Sequence, residues 1–104
     1  MALTPVLGHG GASSVLDLAL SSSYLGSGNE IVVTRASRFD LWCDDAAIAI
    51  TFKVSFDGGT TFSAEFPAPA QSIMEIGIPV GSTLTLDVKS ASGTPKAGGY
   101  AYGA

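Results

Sequence analysis

Residues 46–66 alternate strictly between apolar and small or polar side chains until a turn interrupts them. One face carries Ile48, Ile50, Phe52, Val54 and Phe56. Successive side chains of a β-strand point to opposite faces of the sheet, so this pattern predicts a long strand with one buried face. The turn sequence DGGT follows at residues 57–60, after which Phe62, Ala64 and Phe66 continue the apolar face on a returning strand. This hairpin indicates an all-β fold.

The rest of the chain shows the same period of two in shorter runs, separated by Gly, Pro and Ser turns about every ten residues. The inward sets are Leu16, Leu18 and Leu20; Phe39, Leu41 and Cys43; Met74, Ile76 and Ile78; and Leu84, Leu86 and Val88. A further short run, IVVT at residues 31–34, follows a Ser/Gly loop. We therefore expect a single-domain antiparallel β-sandwich or jelly-roll-like barrel of about eight short strands over residues 15–104. The Gly/Ala/Ser-rich residues 1–14 predict a flexible N-terminal arm.

Two local expectations follow from the same pattern. Thr85 and Asp87 have the parity of outward-facing residues on their strand. Pro67 and Pro69 should interrupt the sheet after the hairpin, because proline cannot donate a hydrogen bond to a central ladder.

Charged residues make up only 13% of the chain, against ~25% in typical soluble domains. The mean hydropathy is +0.38. This predicts that other subunits cover much of the surface and that the chain is a homo-oligomer, although a secreted monomer with a Ser/Thr/Gly surface is the alternative.

The net charge is −4 and the five cations are scattered, so we expect no nucleic-acid partner. No run approaches the ~18 apolar residues of a membrane span.

Cys43 is the only cysteine, and its parity with Phe39 and Leu41 predicts a buried structural thiol. A chain without disulfides is typical of folding in a reducing cytoplasm. The first fifteen residues lack the basic start and apolar stretch of a signal peptide, which agrees with synthesis in the cytoplasm.

Catalytic constellations are not apparent in this sequence. His9 is the only histidine, and its glycine-rich surroundings supply no orienting partner for nucleophilic catalysis. Asp40, Asp44 and Asp45 form an acidic concentration that either contributes to a cation site or lies in a solvated turn, and the turn is favoured because no D-x-D-x-D-G run is present. We expect no enzyme activity and no cofactor.

Several candidate contact residues come from parity. Trp42 lies opposite Phe39 and Leu41, on the face with Arg38, which suggests a contact surface or a sugar-stacking platform unless a second sheet or the arm covers it. Tyr100 and Tyr102 share one face of the last strand, and they too either form a contact surface or are covered by another part of the fold. The predicted interface residues are His9, Arg38, Trp42, Tyr100 and Tyr102.

The hairpin turn matches the pattern S-x-D-x-G-x-T-[W/F] at residues 55–62. The pattern resembles the Asp-box, a hairpin that decorates sialidase propellers and recurs in unrelated β proteins, including many phage virion proteins. Its structural-turn residues here are Ser55, Asp57, Gly59 and Thr61, with the aromatic Phe62 packing into the core. Asp accepts backbone N–H bonds, the glycine allows positive φ, and the hydroxyls tie the strand ends together. We interpret the motif as a hairpin staple.

The chain as a whole resembles a small virion protein of a tailed bacteriophage, of the head decoration (cement) type. The resemblance rests on the S-x-D-G-G-T-T-F hairpin, the Gly/Ala/Ser-rich arm and the compact β domain without disulfides. It implies a homotrimer that binds the major capsid protein and whose arm orders by strand addition to a neighbour. The alternatives are a tail, neck or fibre component, or a carbohydrate-binding module that uses Trp42 with Tyr24 or Tyr102.

Overall fold

The protein is built from eight β-strands in two antiparallel sheets. The computed structural model describes residues 12–43, 45 and 47–103, with side chains from residue 18 onward. The strands are β1 (Ala12–Ala19), β2 (Ile31–Val33), β3 (Ala36–Cys43), β4 (Ile50–Ser55), β5 (Phe66–Ala68), β6 (Met74–Gly77), β7 (Leu84–Ser90) and β8 (Lys96–Gly103). The first sheet has the order β1-β8-β3-β6 and the second the order β2-β7-β4-β5. The predicted all-β sandwich of about eight strands is confirmed.

The core lies between the two sheets and is made by the predicted inward sets. The first sheet contributes Phe39 and Leu41, and the second contributes Leu84, Leu86 and Val88, all without solvent exposure. Cys43 is half-buried and packs against this core. Each fully buried aliphatic or aromatic side chain contributes about 1.5–3 kcal/mol relative to exposure.

Strands β3 and β8 lie at the centre of the first sheet, and at one point a side chain of β3 packs directly against the backbone of β8. A Cβ on Gly99 would lie 1.9 Å from Cζ of Phe39, so the Phe39 ring rests directly on the Gly99 backbone. Gly99 pairs with Leu41 in the ladder. Glycine is therefore required here by the close approach of a core ring.

The N-terminal strand begins before the predicted domain boundary. Ala12 pairs with Tyr102 and Ser14 with Tyr100, which makes residues 12–14 part of β1 at the edge of the first sheet. Residues 1–11, and His9 with them, lie outside the described residues. The flexible arm stays a prediction for that part of the chain.

The hairpin differs from the predicted one in its length. The ladder ends at Ser55, and the returning strand has only three residues, in which Thr51 pairs with Pro67. Phe56 and Phe66 are 41% and 46% exposed, so the buried face does not extend to them. The prediction that Pro67 interrupts the sheet was wrong. Proline is tolerated there because β5 is an edge strand, whose outer side needs no ladder donor.

Thr85 and Asp87 are buried, and the expectation that they face solvent was wrong. The loop between β1 and β2 folds over the outer face of the second sheet. The Asp87 carboxylate accepts hydrogen bonds from the backbone N–H groups of Leu25 at 2.7 Å, Gly26 at 3.3 Å and Val88 at 2.9 Å. A carboxylate withdrawn from water requires such donors, and two of the three come from the loop that covers it.

The contact between Phe39 and Gly99 makes a stability prediction. In Gly99→Ala the added methyl group overlaps the Phe39 ring. Overpacking of this kind should lower the free energy of unfolding by about 1–3 kcal/mol. Gly77→Ala is the matched control, because Gly77 also lies in a strand of the first sheet and a Cβ there meets nothing within 4 Å. Urea unfolding followed by circular dichroism measures both. Equal stabilities of the two variants would contradict the close contact.

Candidate functional site

The outer face of the first sheet brings together four of the five predicted interface residues. Across the β3–β8 ladder, Arg38 pairs with Tyr102, Asp40 with Tyr100 and Trp42 with Gly98. Residues paired in an antiparallel ladder share one face of the sheet. We call the set Arg38, Asp40, Trp42, Tyr100 and Tyr102 the outer aromatic face.

Arg38 and the two tyrosines form one stack. The Arg38 guanidinium carbon lies 4.0 Å from the centroid of the Tyr102 ring, and the Tyr100 and Tyr102 centroids are 5.2 Å apart at an interplanar angle of 47°. Cation–π and tilted ring contacts of this kind each contribute about 0.5–1.5 kcal/mol. The three side chains therefore hold one another in place on the strand surface.

Asp40 lies on the same face and forms an ion pair with Arg38. Its Oδ1 lies 3.0 Å from Nε of Arg38, and Nη2 of Arg38 donates a hydrogen bond to Oδ2 at 3.4 Å. Nε and Oδ1 are both shielded from water but are not aligned as a hydrogen bond. The ion pair fixes the guanidinium over the ring and neutralises the carboxylate of Asp40.

Trp42 lies toward the other end of the outer aromatic face, beside a recess. The recess has a volume of about 400 Å³ and is lined by Trp42, Cys43, Gln71, Ser72 and Ile73. Ile73 is 63% exposed, and Trp42 is half-buried. Gly98, the ladder partner of Trp42, has no side chain to compete with the indole for space.

The Asp-box turn forms the hydrogen bonds expected of a hairpin staple. Ser55 Oγ donates to Asp57 Oδ1 at 2.6 Å and accepts from the N–H of Gly59 at 3.0 Å, while Thr61 N–H donates to Asp57 Oδ1 at 2.9 Å. Gly59 has a φ of 88°, which side chains rarely adopt. The Ser55 hydroxyl and the Thr61 N–H lower the pKa of Asp57. Phe62 is half-buried beside Lys53 and does not enter the core, unlike the prediction.

The outer face of the second sheet carries a cluster that the sequence analysis missed. Lys53 and Lys89 place their ammonium groups 4.4 and 4.7 Å from the Tyr24 ring centroid. The Tyr24 hydroxyl donates to Glu65, and Lys89 Nζ lies 3.3 Å from Oε2 of Glu65. Burial and Glu65 raise the pKa of Tyr24. Lys53 and Lys89 both have outward parity in their strands, but only the pairing of β4 with β7 makes them neighbours, and neither strand sequence shows that pairing.

The positions of Tyr24 and Trp42 exclude one of the predicted sugar platforms. Tyr24 covers the second sheet, whereas Trp42 lies on the outer face of the first sheet, and the core separates the two faces. These two rings cannot stack on one sugar. Trp42 and Tyr102 do share a face.

Two of the three residues in the predicted acidic concentration make local contacts in the described part of the chain. Asp40 pairs with Arg38, and Asp45 accepts a hydrogen bond from the N–H of Ala47 at 3.0 Å. Asp44 lies outside the described residues. No group of three or more potential metal ligands occurs among the residues described, nor does a helix there have the length and apolarity to cross a membrane.

No protein-family profile matches the chain, and no curated protein matches its sequence.

The lowered pKa of Asp57 makes the staple sensitive to pH. A carboxyl group whose pKa is lower in the folded than in the unfolded chain stabilises the fold above its unfolded pKa, about 4, and loses that effect as the pH falls through its folded pKa. Asp57→Asn keeps the shape but does not titrate. The variant should have a lower urea midpoint than the natural chain at pH 7, and the difference should shrink on acidification toward pH ~3. A difference that stays constant across this range would show that ionisation of Asp57 does not matter.

Proposed function

We propose that this chain is a non-catalytic structural protein of a tailed-bacteriophage virion, most specifically a capsid decoration protein that binds the major capsid protein. The outer aromatic face is the observation that supports this proposal best. It presents arginine, tyrosine and tryptophan side chains on the outer face of one sheet, and these residue types dominate the energetics of protein–protein interfaces.

The stack of Arg38, Tyr100 and Tyr102 suits an interface because its side chains are already ordered. Immobilising a free side chain on binding costs about 0.5–1.5 kcal/mol. The ring contacts and the ion pair with Asp40 restrict these side chains before a partner arrives. Most of the free-energy cost of immobilising these side chains is therefore met when the chain folds, before a partner binds.

Exposed apolar residues also support an assembling protein. Besides Tyr100, the large hydrophobic residues with substantial exposure are Phe56, Phe66, Ile73 and Val80. With only 13% charged residues in the sequence, few charges surround them. Surfaces of this composition associate, and a lattice of virion proteins offers many copies whose weak contacts add through avidity.

The N-terminal segment suits strand addition to a neighbour. It leads into β1, which forms an edge of the first sheet. An edge strand presents unpaired backbone groups with which another chain can pair. A tail, neck or fibre component would use the same chemistry, so the copy number in the particle distinguishes these locations from the head.

Solution mass tests the interface. Light scattering after size-exclusion chromatography at micromolar concentration should give about three times the 10.5 kDa of one chain. Tyr100→Ser should shift the mass toward the monomer, because it removes the exposed ring of the stack. Ala91→Ser is the control, since Ala91 is exposed and follows β7, a strand of the second sheet. A monomeric natural chain contradicts the trimer, and an unchanged mass of Tyr100→Ser contradicts this face as its interface.

Particle composition tests the virion assignment directly. Quantitative mass spectrometry of purified particles from the phage that encodes this chain should find it in a fixed ratio to the major capsid protein. A copy number comparable with that of the capsid protein identifies a decoration protein, whereas a few copies per particle identify a tail, neck or fibre component. Absence from purified particles would contradict a virion role.

A further inference from the structure

The recess beside Trp42 is an open surface depression large enough to hold a small molecule. It opens at the point where β3 meets the loop before β6, since Leu41 pairs with Met74 and Ile73 is the residue before Met74. Its volume of about 400 Å³ lies within the ~300–1,000 Å³ typical of ligand sites. An indole on one side and an exposed isoleucine on the other provide apolar walls.

Two polar side chains complete the recess. The Gln71 amide offers two donors and an acceptor. The Ser72 hydroxyl donates to the carbonyl of Pro69 at 2.5 Å, which leaves its oxygen as an acceptor. The described residues that line the recess carry no charge. The lining therefore favours a neutral ligand that has both apolar C–H groups and hydroxyls.

Gln71 adopts a backbone conformation that few residues other than glycine adopt. Its φ is 64°, in the left-handed region. Such positions are concentrated at ligand sites, where the surrounding structure holds the strain. Glycine would accept this φ without strain, so the backbone conformation alone does not call for a glutamine side chain.

We propose that this recess binds one neutral sugar ring, which stacks on the indole of Trp42 while its hydroxyls bond to Gln71 and Ser72. Other ligand classes fit less well. An anion would need cationic side chains in the lining, and a purely apolar ligand would leave the Gln71 amide without partners. A sugar ring satisfies both the apolar wall and the polar groups.

This site does not depend on the proposed virion function. Trp42 lies four residues along β3 from Arg38, a distance of about 13 Å in a strand. A protein partner at the Arg38–Tyr102 end and a sugar at the Trp42 end can therefore occupy the outer aromatic face together.

Intrinsic fluorescence reports on this recess alone, because Trp42 is the only tryptophan of the sequence. The full chain is titrated with glucose, galactose, mannose and N-acetylglucosamine, with glycerol and glucuronate as comparison solutes. We expect a saturable change in emission with at least one neutral sugar, in the millimolar range, and none with glycerol or glucuronate. The absence of a saturable change with all four sugars, or the same change with glycerol, would overturn the proposal.

Variants locate the binding. Gln71→Gly keeps the backbone conformation, removes the amide and leaves Trp42 as the reporter, so it should weaken sugar binding about tenfold. Val80→Ser, on a distant turn, should bind as the natural chain does. Urea unfolding confirms that both variants are folded. Unchanged affinity of Gln71→Gly would show that the sugar does not bind in this recess.

Discussion

The contact of the Phe39 ring with the Gly99 backbone fixes the arrangement on which the candidate sites depend. It holds β3 and β8 in one register, because a slip by two residues, which keeps the same faces inward, would drive the ring onto Ala97 or Ala101. A slip by a single residue would also turn every outward side chain of one strand toward the core. The same register places Arg38 opposite Tyr102 and leaves Gly98 opposite Trp42. A core contact thereby determines the composition of an outer face.

The two sheets differ in what covers them. The loop between β1 and β2 and the Asp-box turn lie over the second sheet, where Asp87 binds the loop backbone and a Cβ on Gly59 would approach Thr85 and Glu30. The first sheet receives no such cover from the described residues, and Tyr100 remains 37% exposed. The β1–β2 loop thus covers part of the outer face of the second sheet, whereas the first sheet has no cover of this kind among the described residues.

Period-two patterns predicted the strands and most of the core, because the alternation of apolar and polar residues indicates which side chains become buried on folding. They failed at Thr85 and Asp87, since parity tells which face a residue occupies and not what covers that face. Parity also placed Arg38 and Trp42 outward. Their meeting with Tyr100 and Tyr102 depends on pairing between strands that lie far apart in the sequence, which no local pattern encodes. The tyrosine–lysine cluster at Tyr24 was missed for the same reason.

Internal pairing lowers the effective charge of this surface further than the composition suggests. Arg38 is neutralised by Asp40, Lys89 by Glu65, and the carboxylate of Asp87 is buried under a loop. Arg38 and Lys89 are thus held in ion pairs within the domain, and Lys53 lies over the Tyr24 ring. What remains outside is mainly neutral, with aromatic and aliphatic groups between hydroxyls. A protein with such a surface tends to associate when it is free in solution. It is instead well suited to contacts made by shape, ring stacking and hydroxyl groups, the chemistry common to a subunit interface and a sugar site.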